Sequence, residues 1–163
     1  MNSGAPDNDP RVQRLRKAVV NRTPGARQVM AFDFGSRRIG VAVGHERIHS
    51  AAPLPPIPAR DGIPSDWGLI TLLLMEWLPD VLVVGLPLNA DGSESLMSKR
   101  ARKFGNRLYG RYARPVEWVN EYGSTQTAKL VARGRGRREG SYHDDGVDSI
   151  AAEIILSRFF SAQ

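Results

Sequence analysis

The chain has 163 residues, enough for one domain that buries its own core without staples. It contains no cysteine, which excludes a disulfide framework, a cysteine nucleophile and a thiolate metal site. Its net charge is +6, and all but four of its 23 basic residues are arginines, whose planar forks suit bidentate contact with phosphate. No apolar run approaches the ~18 residues needed to cross a bilayer, and MNSGAPDNDP has no apolar core behind a basic start, so no secretory signal is expected.

Residues 1–26 hold Pro6, Pro10 and Pro24 and the basic cluster Arg11, Arg14, Arg16 and Lys17. Their apolar residues, Val12, Leu15, Val19 and Val20, allow one short helix at most, and the segment reads as a basic, mobile extension. Residues 27–163 read as a single domain. Gln28 to Phe34 and Ile39 to Gly44 are two short buried strands around Gly35 to Arg38, with a third expected over Ile48 to Leu54 before a proline-rich stretch. Trp67, Ile70, Leu73, Leu74 and Trp77 mark an amphipathic helix, capped by Ser65 or Asp66 and ended by Pro79. Val81 to Gly85 is a continuous apolar run, typical of a strand covered on both faces.

The following loop, Leu86 to Ser95, places Asp91 and Glu94 at capping-box spacing. Met97, Ala101, Phe104, Leu108 and Tyr112 then form the apolar stripe of a helix whose other faces carry Lys99, Arg100, Arg102, Lys103, Arg107 and Arg111. Val116 to Val119 is a further strand, Thr125 to Ala132 a helix capped by Ser124, and Arg133 to Gly140 a basic loop. Val147, Ile150, Ala151, Ile154, Ile155 and Phe159 mark a C-terminal helix. Strands that first meander and then alternate with helices imply an α/β domain, a mixed five-stranded sheet flanked by helices.

Three acids fall where strands end or a helix begins. Asp33 lies inside an apolar run, where an ionised carboxylate is costly unless it is paired or holds a cation. Glu121 follows the last strand, and Asp148 sits near the start of the last helix beside small residues. The bland alternatives are a turn-forming Asp, a solvated Glu and an acid favoured by the helix dipole. Ligands of open sheets bind beyond strand ends, and acids meeting there suit Mg²⁺ or Mn²⁺. Two such ions about 4 Å apart support phosphodiester cleavage. His143 is a candidate for the surroundings of Asp148. Arg37 and Arg38, together with Lys99, Arg100, Lys103 and Arg107, are the candidate phosphate contacts; the bland reading of the helix cations is a solvated face.

Four segments together resemble one family. They are Asp33-Phe-Gly-Ser-Arg-Arg-Ile-Gly-Val-Ala-Val43, Val84-Gly-Leu-Pro-Leu-Asn-Ala-Asp-Gly-Ser-Glu94, Asn120-Glu-Tyr-Gly-Ser-Thr125 and Val147-Asp-Ser-Ile-Ala-Ala152. In this order and spacing they resemble the YqgF/RuvX family of Holliday-junction-resolvase-like nucleases of the RNase H-like superfamily, over about Gln28 to Phe160. The loop is the most specific piece. The resemblance implies an RNase H-like fold, an antiparallel meander followed by parallel strands, with Asp33, Glu121 and Asp148 as catalytic metal-binding acids. It also implies a cytoplasmic nuclease of ribosomal RNA precursors or branched DNA, with Mg²⁺ or Mn²⁺ as cofactor. A two-fold branched target would suit a homodimer. The chain departs from the family pattern at Asn120, Tyr122 and Gly123, where Asp, Arg and Leu or Phe are usual, and the spacing of related resolvases implies Asp145, three residues before Asp148, as a further ligand candidate. Two other readings compete: a non-catalytic RNA- or ribosome-binding module of this fold, and an ATP-binding domain of the actin or sugar-kinase kind. The second needs two domains around a cleft, and this chain has length for one.

Overall fold

The computed structural model describes residues 8–18, 23–35, 37–121 and 146–162, with side chains in the last segment from Ser149 onward. In chain order the elements are α1 (Pro10–Lys17), β1 (Gln28–Asp33), β2 (Arg38–His45), β3 (Ala52–Arg60), β4 (Ile63–Pro64), α2 (Trp67–Trp77), β5 (Val81–Pro87), α3 (Leu96–Tyr112), β6 (Val116–Glu121) and α4 (Gly146–Ser161). The expected helix over Thr125 to Ala132 and the basic loop after it lie outside the described residues.

One sheet runs in the order β4-β3-β2-β1-β5-β6. β1 to β4 form the antiparallel meander, while β5 and then β6 join parallel to β1. The sheet has six strands, not the expected five. The additional one, β4, returns from β3 through Asp61-Gly62, both with positive φ (51° and 80°), the two-residue turn whose twist matches paired strands. β3 covers Ala52 to Arg60 rather than Ile48 to Leu54. It runs through Pro53, Pro55, Pro56 and Pro58 because β4 covers only its last residues, so most of its outer edge has no ladder to donate to.

Strand alternation sorts the core into two layers. Met30, Phe32, Leu82, Val84 and Leu86 face α2 and α3. Val29, Ala31, Val81 and Val83 face α4, through Ala152, Ile155 and Leu156. Covered on both faces, β1 and β5 read as unbroken apolar runs. The caps differ in part from expectation. Asp66 does cap α2, accepting from Gly68 N, but the capping box of α3 is Ser95 with Ser98, not Asp91 with Glu94.

Within the basic N-terminal segment, the one short helix that the sequence allowed is α1, which packs against the domain. Val12 and Leu15 are buried in the layer of α2 and α3. Arg114 Nη1 donates to Leu15 O (2.8 Å), and Arg16 Nη1 donates to Gly110 O (2.5 Å) and Arg111 O (3.1 Å). An eight-residue helix has little stability alone; these contacts hold it.

The opposite end of the β1–β2 hairpin is closed by Glu46, which is buried. Its carboxylate accepts from Gly25 N (2.7 Å), Arg27 N (3.1 Å) and both arms of the Arg27 guanidinium (3.0 and 2.8 Å). Arg27, chiefly, pulls the Glu46 carboxyl down to about 2. A carboxyl depressed on folding contributes stability above its unfolded value near 4.5, lost as pH falls toward 2. The contribution at neutral pH is up to about 3 kcal/mol. Glu46→Gln is therefore expected to destabilise the protein at pH 7 and to flatten its acid unfolding between pH 5 and 2, measured by urea titration at each pH.

Candidate active site

The C-terminal ends of β1, β5 and β6 lie at one edge of the sheet, because the three strands are parallel. Asp33 is the last residue of β1 and Glu121 the last of β6; both are buried, at 8% and 5% exposure. Period-two alternation puts Asp33 in line with Val29 and Ala31, Gly85 with Val81 and Val83, and Glu121 with Val119, all on the α4 side of the sheet. β5 lies between β1 and β6, so its glycine separates the two acids.

Gly85 is where the site gains its room. A Cβ there would overlap Glu121 Oε2 and Ile155 of α4. The Glu121 carboxyl thus lies across the middle strand, under α4, in space that only glycine leaves open. Its Oε2 is buried with no hydrogen-bond partner among the described residues. Burial pushes the carboxyl up to about 7, against a weaker opposing pull from Arg158. A desolvated, unpartnered carboxylate oxygen at a strand-end edge fits a hard divalent cation, which takes oxygen donors.

The third acid is placed by the backbone. Asp148 is the third residue of α4. The next residue, Ser149, is buried and donates from Oγ to Leu54 O (2.6 Å). Leu54 pairs with Val41 and Val41 with Phe32, the neighbour of Asp33. The first turn of α4 therefore starts at the same edge and on the same face as Asp33 and Glu121. The side chain of Asp148 lies outside the described residues, as do His143, Asp145, Tyr122 and Gly123. Among the described side chains no group of three acids or histidines forms a metal cluster. Asn120 is exposed, on the strand face opposite to Glu121.

The cations divide. Arg37, exposed at the end of the β1–β2 turn after Asp33, is followed by Arg38, the half-buried first residue of β2. That turn is tight: a Cβ on Gly35 would overlap the Arg38 carbonyl, and Ala59 N donates to Arg37 O (2.7 Å). Lys99, Arg100 and Lys103 are exposed on α3 and Arg107 is half-buried. α3 packs on the other side of the sheet from the acids, so the structure does not bring these four into one pocket with them. It starts at the acid edge, however, and Lys99 and Arg100 lie in its first turns, with Arg107 about 11 Å further along. Arg102 and Arg111, grouped with the exposed cations by helical spacing, are engaged. Arg102 forks Glu94 (2.9 and 3.2 Å) and lies 5.5 Å over the Trp118 ring, while buried Arg111 lies 4.6 Å over Trp67.

The motif loop before α3 uses its polar groups on itself. Asp91 accepts from Ser93 N (2.9 Å) and Oγ (2.6 Å), Asn89 Nδ2 donates to Ser93 Oγ and Glu94 O, and Ser95 Oγ donates to Pro87 O. It braces the step from β5 to α3 beside the acids. In the sequence alone Gly85 reads as the end of an apolar run, Ser149 as a small residue leaving room beside Asp148, and Ile155 as part of the apolar stripe of the last helix; the structure gives each a further role at the site. The strand-ending glycine is visible as punctuation, but its role depends on which residue the neighbouring strand places beside it.

A mixed sheet of this order, with acids gathered where its parallel strands end, defines an RNase H-like protein. The structure of Thermus thermophilus RuvC in complex with a Holliday junction substrate has the same fold, with a TM-score of 0.51 and 16% identity over 83% of this chain and 94% of that one. The chain belongs to the family described as RuvX: Holliday junction resolvase, whose model matches residues 27–162. Among curated relatives, a protein of Chromohalobacter salexigens is 65% identical over 137 residues, covering 84% of this chain and 91% of its own length. One of Marinobacter nauticus is 51% identical over 141 residues, covering 86% and 96%. Both carry the name "Putative pre-16S rRNA nuclease".

The raised carboxyl of Glu121 has a stability signature. A carboxyl whose folded value exceeds its unfolded one binds its proton more tightly when folded, so stability falls as pH rises from about 4.5 to about 7. The penalty, up to about 3 kcal/mol, is complete above pH 7. In EDTA at pH 8, Glu121→Gln is expected to melt higher than wild type, and the gap should close below pH 4.5. Equal melting temperatures at pH 8 would show that Glu121 bears no such cost.

Proposed function

We propose that this chain is a divalent-metal-dependent nuclease that hydrolyses phosphodiester bonds in structured nucleic acid, in ribosomal RNA precursors or at branched DNA junctions. The observation that carries the reading is the Glu121 carboxyl, buried and with one oxygen unpartnered among the described residues, beside Gly85 at the edge where Asp33 also ends its strand. A binding-only module gains nothing from burying an ionisable group at such cost. The names of the relatives support the ribosomal substrate, and the family description the junction.

Asp33, Glu121 and Asp148 would hold Mg²⁺ or Mn²⁺. When bound, such ions lower the barrier by activating water and stabilising the leaving oxygen. The chain's own residues do the rest. Gly85 and Ile155 fix the Glu121 carboxyl under α4, and β1 fixes Asp33 on the same face. Arg37 and Arg38 present guanidinium groups to phosphates next to Asp33, and Lys99, Arg100, Lys103 and Arg107 track the backbone beyond the edge. Residues 27–163 act as one nuclease domain, working on cytoplasmic nucleic acid, and residues 1–26 are its N-terminal extension. On a two-fold branched target two copies would act together. Among the described residues no helix is long and apolar enough to cross a membrane.

Asp33→Asn is expected to abolish cleavage while sparing binding, since an amide is a poor cation ligand but leaves the arginines in place. The assay is a panel of labelled single-stranded, flap and junction substrates in RNA and DNA, with Mg²⁺, Mn²⁺ or EDTA. Cleavage within about tenfold of wild type, some 1.4 kcal/mol of barrier, or full turnover in EDTA, would overturn the mechanism. Replacing Arg100, Lys103 and Arg107 together with Gln should lower the log–log salt slope of affinity by roughly 2 if all three meet phosphate. Thermal stability should change by less than about 0.5 kcal/mol per site. An unchanged slope would assign this face to solvent and leave Arg37 and Arg38 as the phosphate contacts.

A further inference from the structure

In the first turn of α4, the Ser149 hydroxyl bonds to the sheet at a point that the proposed chemistry does not use. On β3, Pro55 and Pro56 together face a single residue of β2, Gly40: the pairing steps from Val41 with Leu54 to Ile39 with Ile57. This is a bulge, a local break in the ladder that bends its strand. Gly40 is also the partner of Asp33 on β1, so the bulge lies in the same row of the sheet as the first acid. Neither proline has an N–H to give the ladder. At the residue just before the bulge, the Leu54 carbonyl accepts the Ser149 hydroxyl at 2.6 Å. Ser149 is 1% exposed, so this bond is sheltered from water, and the residue preceding it in the helix is Asp148.

We infer that the Ser149–Leu54 bond, set by the proline bulge of β3, is a positioning device that fixes the first turn of α4, and Asp148 with it, at the edge where Asp33 and Glu121 lie. The inference rests on the metal-site reading above. Ser149 touches neither substrate nor ion; it acts through the helix backbone. The rest of α4 is held by its apolar face, Ala152, Ile155, Leu156, Phe159 and Phe160, against β1, β2 and β5. Ile150 and Ala151, buried next to Ser149, keep the helix docked, so loss of the hydroxyl is expected to loosen the start of α4 rather than undock it. Contacts that orient ligands from behind typically contribute 10- to 100-fold in metal affinity or activity.

The test compares full-length wild type with Ser149→Ala, Ser149→Thr, Asp148→Asn and, on the exposed side of α4, Ser157→Ala. Three quantities are measured: the Mg²⁺ and Mn²⁺ concentrations that half-saturate the rise in melting temperature, amide exchange along α4, and kcat and KM for cleavage. For Ser149→Ala the expected result is faster exchange confined to the first two turns of α4, and half-saturation at roughly tenfold higher metal. A similar fall in kcat with KM little changed should accompany these. Ser149→Thr keeps the hydroxyl and should restore metal affinity to within about threefold of wild type. Ser157→Ala should match wild type throughout. If Ser149→Ala fails to fold, Ser149→Cys, close in size and a weaker donor, takes its place. Wild-type metal affinity and kcat in that variant, or exchange that speeds up along the whole helix, would overturn the positioning role. Asp148→Asn separates the two readings. If it retains wild-type metal affinity and cleavage, the metal-site reading of Asp148 fails whatever Ser149 does. If it loses both while Ser149→Ala keeps them, only the positioning inference fails.

Discussion

The Glu121 carboxyl lies where Gly85 has no side chain, and the arrangement of the candidate site follows from that fit. β5 is the middle of three parallel strands, so any side chain at its residue 85 would stand between Asp33 and Glu121. With glycine there, the carboxyl can cross the middle strand, and Ile155 of α4 closes over it. The same enclosure strips the oxygen of water and pushes the group up to about 7. Burial makes this carboxyl costly to ionise, and on the proposed reading the same enclosure would make it a favourable ligand for a cation.

The sheet sets acids and cations on different sides. Asp33 and Glu121 face α4, while the cationic helix α3 packs on the opposite layer. A nucleic acid that meets both must cross the sheet edge rather than lie in a groove on one face. Both segments at that edge are held by close contacts among the described residues. The β1–β2 turn is closed by the approach of Gly35 to the Arg38 carbonyl, and the loop before α3 by bonds among Asn89, Asp91, Ser93 and Ser95. Arg102 and Arg111 do not add to the phosphate-facing charge in the way their number suggests. One is forked by Glu94 and laid over Trp118, and the other is buried over Trp67.

How much of this was legible in the sequence depended on whether the signal was local. The apolar runs of β1, β2 and β5 and the stripes of α2 and α3 follow from periodicity, because each reports the layer that covers it. β3 was expected to stop at Leu54 and β4 escaped, because four prolines argue against a strand, and only an uncovered edge makes them tolerable. The Asp61-Gly62 turn was a readable hairpin signal, hidden by the same prolines. Val12 and Leu15 were visible as an apolar pair, but whether so short a helix docks is decided by α2 and α3. At the start of α3 two cap patterns compete. Asp91 is drawn into its own turn by Ser93, which leaves Ser95 as the cap. Asp33 and Glu121 were legible as acids ending apolar strands, yet the glycine between them acquires meaning only once β5 is known to separate β1 from β6.

The division of labour within the motifs points the same way. The most distinctive segment, Leu86 to Glu94, contributes a brace, since its polar groups bond to one another and to the neighbouring backbone. The residues that would carry chemistry are single acids, at the end of the first strand, the end of the last strand and the start of the last helix. They have no common local pattern because the sheet order brings them together, not the chain. Asp33 ends a strand covered on both faces, among the last parts of such a domain to open, and Glu121 ends the edge strand β6, closed in by Gly85 and Ile155 of α4. The third depends on how the beginning of a helix meets an irregular, proline-bearing edge strand. The position of the third acid is therefore set at the least regular border of the sheet, where β3 bulges and α4 begins.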